Sequence, residues 1–182
     1  MLELAEHILD IAENSVRAGA KLIEISVRED SAQDLLTIEI ADDGCGIKKE
    51  DLKRVMDPFY TTKTVRRVGL GLPLIASAAE TTGGKMELKS VEGKGTKLTI
   101  TFRLRHVDRQ PMGNISSVLI TLIVGNSEVD FIYKHWCDGR RFILDTRLIR
   151  QEIEDVPISH PEILKYIKGV IKEGLNSLES IV

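Results

Sequence analysis

The first part of the chain changes from helical to strand spacing of its hydrophobic residues. Over residues 2–18 they recur three and four positions apart, at Leu4, Ile8 and Ile11 among others, which predicts an amphipathic helix. The segments after it alternate apolar with polar positions, which is typical of half-buried strands. The predicted strands are residues 21–28 and 35–41, and the polar stretch between them indicates a hairpin.

The middle of the chain is divided by glycine-bearing turns. Residues 42–47 form a loop, and residues 49–56 have the spacing of a short helix that ends before Pro58. Residues 57–68 have no clear period. The further predicted elements are a helix over residues 69–82, ended by Gly83 and Gly84, and strands over residues 85–91 and 96–104.

A polar segment with a proline and a glycine, residues 105–113, is the predicted boundary between two regions. We expect a larger domain over residues 1–106 and a small α+β region over residues 107–182. In the second region the apolar runs predict a β-meander with strands over residues 115–124, 129–137 and 141–144, followed by helices over residues 146–155 and 160–178. Ser159 and Glu162 predict a capping box at the start of the last helix.

The composition of the 182 residues is that of a soluble globular protein, with 42% hydrophobic and 29% charged residues. The net charge of -3 argues against a surface that binds mainly nucleic acid or anionic lipid. The two cysteines lack metal-type spacing, so we expect neither a disulfide scaffold nor a structural metal, and we expect Cys45 to be a small packed residue. No secretory signal and no apolar run of about 18 residues occur, which predicts a cytoplasmic protein outside the membrane.

The loop that begins with Asp42 carries the first candidate chemistry. Gly44 and Gly46 would let the backbone approach a flat ligand closely, and the carboxylate of Asp42 would accept a hydrogen bond from an exocyclic amine. A simple strand-to-helix turn is the alternative interpretation of the same residues.

The first predicted helix carries a second candidate. Asp10 and Asn14 are four positions apart and share one edge of its polar face, in a row with His7 and Arg17. The side-chain carbonyl of Asn14 is a hard oxygen that suits Mg²⁺, and a carboxylate one turn away can orient a water molecule. A solvated helix face is the alternative interpretation.

A third candidate lies at residues 69–72, where glycines lead into a helix whose first amide groups favour phosphate oxygens. In order and spacing, these segments resemble the ATP-binding domain shared by gyrase, heat-shock chaperones, histidine kinases and mismatch-repair proteins, the GHKL superfamily with its Bergerat-type fold. Residues 10–20 are similar to the N-box, especially its mismatch-repair version, and residues 42–46 to the first glycine box. Residues 57–63 are similar to the F-box of histidine kinases, residues 69–72 to their second glycine box, and residues 93–96 to a late glycine-threonine element.

The resemblance implies a site for ATP and Mg²⁺. It implies that Asn14 is the Mg²⁺ ligand and that Asp10 stands where ATP-hydrolysing members carry a water-activating Glu. It also implies that Asp42 accepts the adenine amino group and that Thr96 adds a hydrogen bond on the adenine side. The other implied ATP contacts are Gly44, Gly46 and Ile47 around the base, Gly69, Leu70, Gly71 and Leu72 at the phosphates, and the lid cations Lys63, Arg66 and Arg67. Lys63 is, with Asp10, a candidate catalytic residue, and ordinary surface charge is the alternative for each cation.

The fold that the resemblance implies is an α+β two-layer sandwich, in which a mixed, largely antiparallel sheet packs against helices. The order of elements predicted from spacing agrees with it. Two features depart from histidine kinases. Arg67 and Val68 replace a glycine and a small residue before the second glycine box, and the chain begins almost directly with the N-box helix. We therefore expect no dimerisation hairpin of its own, and none of the histidines at positions 7, 106, 135 and 160 has the context of a phospho-acceptor.

We expect slow hydrolysis, because Asp10 is one methylene shorter than Glu and a displacement of about 1 Å can reduce a rate about 10²-fold. The first hypothesis is a Mg²⁺-dependent ATP-binding protein that phosphorylates or regulates a protein partner in trans, with a homodimer as an open possibility. The alternatives are a non-catalytic, nucleotide-gated interaction module and a mismatch-repair-like ATPase clamp. The aromatic residues of the second region are interpreted as core, with a dimer or partner surface as the alternative; they are Phe131, Tyr133, Trp136 and Phe142.

Overall fold

One mixed β-sheet and a layer of helices make up the part of the chain that the structure describes, which is residues 3–52, 55 and 71–180 of a computed structural model. The elements, in chain order, are α1 (Leu4–Arg17), β1 (Leu22–Asp30), β2 (Leu35–Asp42), α2 (Gly71–Thr81), β3 (Lys85–Val91), β4 (Gly95–Arg103), α3 (Ile115–Gly125), β5 (Asp130–Cys137), β6 (Arg140–Asp145), α4 (Thr146–Ile153) and α5 (Pro161–Leu178). The strand order is β3-β4-β2-β1-β5-β6. Among the described strands, only β1 and β5 pair in parallel, so the predicted mixed, largely antiparallel sheet is confirmed.

The two faces of the sheet differ in polarity because side chains alternate along each strand. One row on the core face crosses all six strands and is apolar throughout: Leu88, Leu98, Ile40, Ile25, Tyr133 and Leu144. The neighbouring row on the open face is mainly polar: Glu87, Thr99, Glu39, Ser26, Lys134 and Ile143. The helices contact one another in the order α2, α1, α3 and α5. Buried residues from these helices and from the core face form one hydrophobic cluster.

The segment around residues 115–124 is a helix, so the predicted strand there is wrong. Its buried residues fall three and four positions apart, at Ile115, Val118, Leu119, Leu122 and Ile123. Asn114 caps the helix by accepting a hydrogen bond from the Ser117 N–H at 2.9 Å. A short run of β-branched residues has strand propensity, but here the packing of α3 between α1 and α5 favours the helix.

One smaller prediction also needs correction, and another falls only partly within the described residues. The last helix begins at Pro161 with His160 as its N-cap, and Ser159 lies outside it, so the predicted capping box does not form. Residues 49–52 form a turn, and of the predicted short helix only Val55 is described beyond it; the Val55 N–H donates to the Asp51 carbonyl at 3.0 Å.

The region after residue 106 adds its strands to the same sheet, because β5 pairs with β1. Phe131 and Tyr133 are buried in the core, and Phe142 packs against it, as interpreted from the sequence. Trp136 instead lies on the open face, where the guanidinium carbon of Arg28 is 5.0 Å from its ring centroid. The sheet therefore extends across both predicted regions.

The segment that follows β4 returns to the start of α1. The N–H groups of Leu4 and Ala5 donate to the carbonyls of Pro111 and Met112 at 3.0 and 2.8 Å, so main-chain carbonyls satisfy two of the free amides at this helix end. His7 is buried, at 1% exposure, and so does not belong to the polar row predicted for it. Burial lowers the pKa of its imidazole.

A buried polar cluster lies at the end of β1 that is remote from Asp42. The Glu29 carboxylate accepts hydrogen bonds from His135 Nε2 at 2.7 Å and from Ser180 Oγ at 2.6 Å. Tyr133 Oη and His135 Nδ1 are 2.8 Å apart, and burial raises the pKa of Tyr133 above its ordinary value. The cluster connects β1 and β5 to the residues that follow α5.

Candidate functional site

The carboxylate of Asp42 is held between α1 and the loop that follows β2. Asp42 is the last residue of β2 and lies on the core face of the sheet. Its Oδ2 accepts a hydrogen bond from the Ser15 hydroxyl at 2.6 Å, and its Oδ1 accepts one from the Gly44 N–H at 3.0 Å. These two bonds fix the orientation of an acceptor group that remains half-buried.

Asp43, the next residue, has a different role. Its Oδ1 accepts hydrogen bonds from the N–H groups of Lys21 and Leu22 at 2.7 and 2.9 Å. The Leu22 N–H, followed by that of Lys21, holds the pKa of the Asp43 carboxyl below its ordinary value. Asp43 therefore ties the loop to the start of β1, while Asp42 faces α1.

Three glycines allow the loop and the start of β4 to approach other main-chain atoms. A Cβ on Gly44 would lie 3.0 Å from both the Ala18 carbonyl oxygen and Asp42 Oδ1. Gly46 has φ +67 and Gly95 has φ +105, and a Cβ on either would collide with a carbonyl oxygen, that of Val91 or of Asp42 respectively. The glycines therefore allow the loop to pack closely against the helix and the hairpin, besides any contact that they allow with a ligand.

Ser90 connects this loop to Thr96, and sequence reasoning missed it. The Ser90 hydroxyl accepts from the Ile47 N–H at 2.8 Å, donates to the Gly95 carbonyl at 3.0 Å, and lies 2.8 Å from Thr96 Oγ1. Asp42 and Thr96 are directly paired on β2 and β4, and Thr96 and Ser90 are directly paired on β4 and β3. The alternation of β3 places Ser90 on the core face, and this pattern in the sequence could have identified Ser90 as a candidate site residue.

The polar edge of α1 contacts the start of α2. A Cβ on Gly71, the first residue of α2, would collide with Asp10 Oδ2, so the carboxylate of Asp10 packs directly on this backbone. Asn14 lies one turn further along α1, next to Ser15. Within the described residues, the side-chain amide of Asn14 makes no hydrogen bond. Leu72, the next residue of α2, packs against the hydrophobic cluster.

Several predicted site residues lie outside the described residues. They are Lys63, Arg66, Arg67, Gly69 and Leu70, together with the F-box segment 57–63. Cys45, which was expected to be packed, is exposed. Its N–H donates to the Ala18 carbonyl at 2.9 Å and its carbonyl accepts from the Gly93 N–H at 2.8 Å, so the backbone of the loop is held and the side chain points outward.

A cleft of about 620 Å³ lies along this end of the sheet. Its lining includes Asp42, Leu52, Leu88, Ser90 and Thr96. No group of three or more acidic, histidine or cysteine side chains among the described residues is arranged to hold a metal ion. The donor chemistry fits Mg²⁺ in another way, because the half-buried Asn14 amide can offer one hard oxygen and a nucleotide can supply others.

The family comparison identifies the class of domain to which the chain belongs. The family model for histidine kinase-, DNA gyrase B- and HSP90-like ATPases matches residues 2–106. The chain therefore belongs to the histidine kinase-, DNA gyrase B- and HSP90-like ATPase family, which confirms the resemblance seen in its motifs.

Curated relatives include several sensor kinases. The chain is 35% identical over 112 residues to the non-motile and phage-resistance protein of Caulobacter vibrioides, a match that covers 57% of this chain and 13% of that protein. It is 37% identical over 101 residues to the sensor histidine kinase WalK of Bacillus subtilis, covering 53% and 16% of the two chains. These matches cover less than a quarter of either relative.

Solved structures show the same fold. The Aquifex aeolicus MutL ATPase domain complexed with ADP has a TM-score of 0.53 and 17% identity, and the match covers 80% of this chain and 63% of that one. The N-terminal domain of a DNA repair protein has a TM-score of 0.56 and 18% identity, and the match covers 80% and 53%. None of the helices within residues 3–52, 55 and 71–180 has the length and apolar character of a membrane span.

Proposed function

We propose that the chain binds ATP with Mg²⁺ at the Asp42 end of the sheet and phosphorylates or regulates a partner protein in trans. The observation that carries the proposal is the Asp42 carboxylate, which Ser15 and Gly44 hold as a fixed acceptor beside a cleft. An acceptor in this position suits the amino group of adenine. Thr96, paired with Asp42 across β2 and β4, would complete the purine side of the site.

The phosphate side of the site would lie toward α2. Gly71 begins this helix, and backbone amides at a helix start favour phosphate oxygens. Lys63, Arg66 and Arg67 would add positive charge, with Gly69, Leu70 and Leu72 as further phosphate contacts. Asn14 would hold Mg²⁺, which when bound neutralises charge on the phosphate oxygens. Family membership and the sensor kinases among the relatives support this assignment.

The transfer reaction would move the γ-phosphoryl group to a partner side chain. The bond from the γ-phosphorus to the bridging oxygen breaks, a bond to the acceptor oxygen or nitrogen forms, ADP leaves and the acceptor loses its proton. The carboxylate of Asp10, which packs against Gly71, would orient the attacking group near the phosphates. Because positioning and charge neutralisation carry most of such catalysis, Asp10 need not act as a strong base.

A second function is favoured by the hydrogen bonds at the start of α1. Pro111 and Met112, in the segment that leads to the C-terminal region, accept hydrogen bonds from the first amides of the helix that carries Asp10 and Asn14. Nucleotide bound along α1 would thereby influence the surface of the C-terminal region without chemistry. In that case Asp10→Asn would leave partner control intact.

Titration of the full chain with ATP and Mg²⁺ tests the proposed site. Asp42→Ala and Asn14→Ala should each weaken binding by at least tenfold, and the Asn14→Ala loss should be confined to Mg²⁺-containing buffer. Glu39→Ala, on the open face of the same strand, and Glu13→Ala, next to Asn14 on α1, are matched controls and should bind as the wild type does. Equal affinities for Asp42→Ala and Glu39→Ala would contradict the site.

Incubation with γ-labelled ATP and candidate partners from the same cell separates the two functions. The kinase function is supported if the wild type transfers label to a partner protein and Asp42→Ala does not. Normal ATP binding with no transfer would leave the nucleotide-gated function, which is then tested by a nucleotide-dependent pull-down.

A further inference from the structure

Ser90 lies at the β3 end of the row that carries the proposed purine acceptor. Asp42, Thr96 and Ser90 are neighbours on β2, β4 and β3, on the core face and in the wall of one cleft. Among the described residues, the Ser90 hydroxyl has three polar neighbours: the Ile47 N–H, the Gly95 carbonyl and the Thr96 hydroxyl. The chemistry of these neighbours determines where its proton lies.

A serine hydroxyl has one proton to donate and two lone pairs that accept. The Ile47 N–H at 2.8 Å can only donate, and the Gly95 carbonyl at 3.0 Å can only accept. The proton of Ser90 therefore points to Gly95, and one lone pair receives Ile47. The Thr96 hydroxyl, 2.8 Å away, must then donate its own proton to the second lone pair of Ser90.

Because its proton is donated to Ser90, the Thr96 hydroxyl can only accept a hydrogen bond from a ligand. The nearest side chain on β2 is the Asp42 carboxylate, which also only accepts when ionised. The polar wall of the cleft consequently presents two acceptors side by side. The 6-amino group of adenine has two N–H donors and can satisfy both acceptors, whereas a 6-oxo purine offers a single donor, its N1–H, and the lone pairs of its carbonyl oxygen would face the other acceptor.

We propose that Ser90 is a positioning residue that sets the purine selectivity of the site, by holding the Thr96 hydroxyl as an acceptor so that 6-amino purine nucleotides bind in preference to 6-oxo ones. The proposal rests on the ATP site proposed above and adds to it a residue that does not touch the ligand. Without the Ser90 oxygen, the Thr96 hydroxyl could rotate and donate to a 6-oxo group, and the discrimination would weaken.

Equilibrium binding of ATP and of inosine triphosphate to the full chain tests this. Inosine triphosphate lacks the 2-amino group of guanine, so the comparison isolates positions 1 and 6 of the ring. Wild type should prefer ATP, and Ser90→Ala should reduce the ratio of the two affinities by about tenfold, the effect of one hydrogen bond. Thr99→Ala is the matched control, because it removes a cross-strand hydroxyl bond to Glu39 on the opposite face of β4 and should leave the ratio unchanged.

Two further variants separate positioning from stability. Ser90→Thr retains the hydroxyl and should restore most of the wild-type ratio. Thr96→Val removes the hydroxyl that Ser90 orients, so adding Ser90→Ala in that background should not change the ratio again. Equal losses of both affinities in Ser90→Ala, or a further change of the ratio in the double variant, would overturn the proposal while leaving the ATP site in place. Failure of the wild type to bind ATP would overturn both.

Discussion

The hydroxyl of Ser15 lies 2.6 Å from Oδ2 of Asp42, a hydrogen bond that joins the middle of α1 to the end of β2. Ser15 is buried and directly follows Asn14 in the chain. The same turn of α1 therefore presents the proposed metal ligand and supports the proposed purine acceptor. A change in the position of α1 would move both groups together.

Ser15→Ala should weaken ATP binding about tenfold, because the Asp42 carboxylate would lose one of the two hydrogen bonds that orient it. A hydrogen bond to a charged group contributes on the order of 1.5–3 kcal/mol, and part of that would be lost from binding. Isothermal titration with ATP and Mg²⁺ measures the change. Ser177→Ala, which removes a helix hydroxyl that donates to the Gly174 carbonyl on α5, is the control and should leave the affinity unchanged. An unaltered affinity in Ser15→Ala would show that Asp42 does not need this support.

Two glycines where β3 connects to β4, Gly93 in the turn and Gly95 at the start of β4, provide a second prediction. Gly93 and Gly95 both have positive φ, of +74 and +105, but a Cβ on Gly93 would meet nothing within 4 Å, whereas one on Gly95 would collide with the Asp42 carbonyl oxygen. Gly93→Ala should therefore reduce the free energy of unfolding by about 1 kcal/mol, the cost of the backbone conformation alone. Gly95→Ala should reduce it by about 3 kcal/mol or more and should also weaken ATP binding.

Urea denaturation monitored by the single tryptophan, with ATP titration of each variant, provides the comparison. Similar destabilisation by the two substitutions would mean that strain at positive φ dominates and that the contact of Gly95 with Asp42 is unimportant.

The positions of the first four strands along the chain could be predicted because alternation and turn residues are local signals. The hairpin of β1 and β2 and the strands β3 and β4 lie close to their predicted limits. The run at residues 115–124 could not be assigned from its own residues, because a short apolar segment rich in β-branched side chains suits a buried strand or a buried helix equally. Its packing between α1 and α5 decides the outcome, and that contact is made by residues distant in sequence.

The motifs indicated which segments meet but not which hydroxyls connect them. Asp42 and Thr96 were candidates from the resemblance, and the structure places them at paired positions of β2 and β4. The resemblance assigns no role to Ser15, Ser90 belongs to none of the motifs, and the alternation of β3 indicates only the face of the sheet on which Ser90 lies. Their roles depend on the distances to Asp42 and Thr96, which only the assembled sheet and helix provide.

Asp43 provides a prediction on pH. Main-chain N–H groups lower its pKa from the ordinary 3.8, so the ionised form stabilises the folded chain at neutral pH. That contribution is present above the unfolded pKa and is lost as the pH falls through the lower folded value. Asp43→Ala should reduce the free energy of unfolding by about 1 kcal/mol at pH 7, a figure discounted for the exposure of the side chain.

The difference in the free energy of unfolding between wild type and Asp43→Ala should then shrink as the pH is lowered from about 5 to 3, because the Asp43 carboxyl of the wild type becomes protonated. Urea denaturation at several pH values measures it. Asp155→Ala is the control, because Asp155 is exposed and makes no hydrogen bond to the described residues. A difference that stayed constant with pH would mean that the side chain acts through packing and not through its charge.

The buried carboxylate of Glu29 provides the last prediction, at the other end of β1. Glu29 is 2% exposed and accepts hydrogen bonds from His135 and Ser180, so removing it takes the carboxylate acceptor away from the buried His135 ring and from the half-buried Ser180 hydroxyl. Glu29→Ala should reduce the free energy of unfolding by about 3 kcal/mol, and Ser180→Ala by about 1 kcal/mol, since the latter removes one donor and leaves the carboxylate bonded to His135. Urea denaturation measures both changes.

Because Asp42 pairs with Ile23 at the start of β1, ATP affinity should be the same as wild type in Ser180→Ala. A large loss of ATP affinity in that variant would show that the C-terminal residues and the proposed site are coupled through β1.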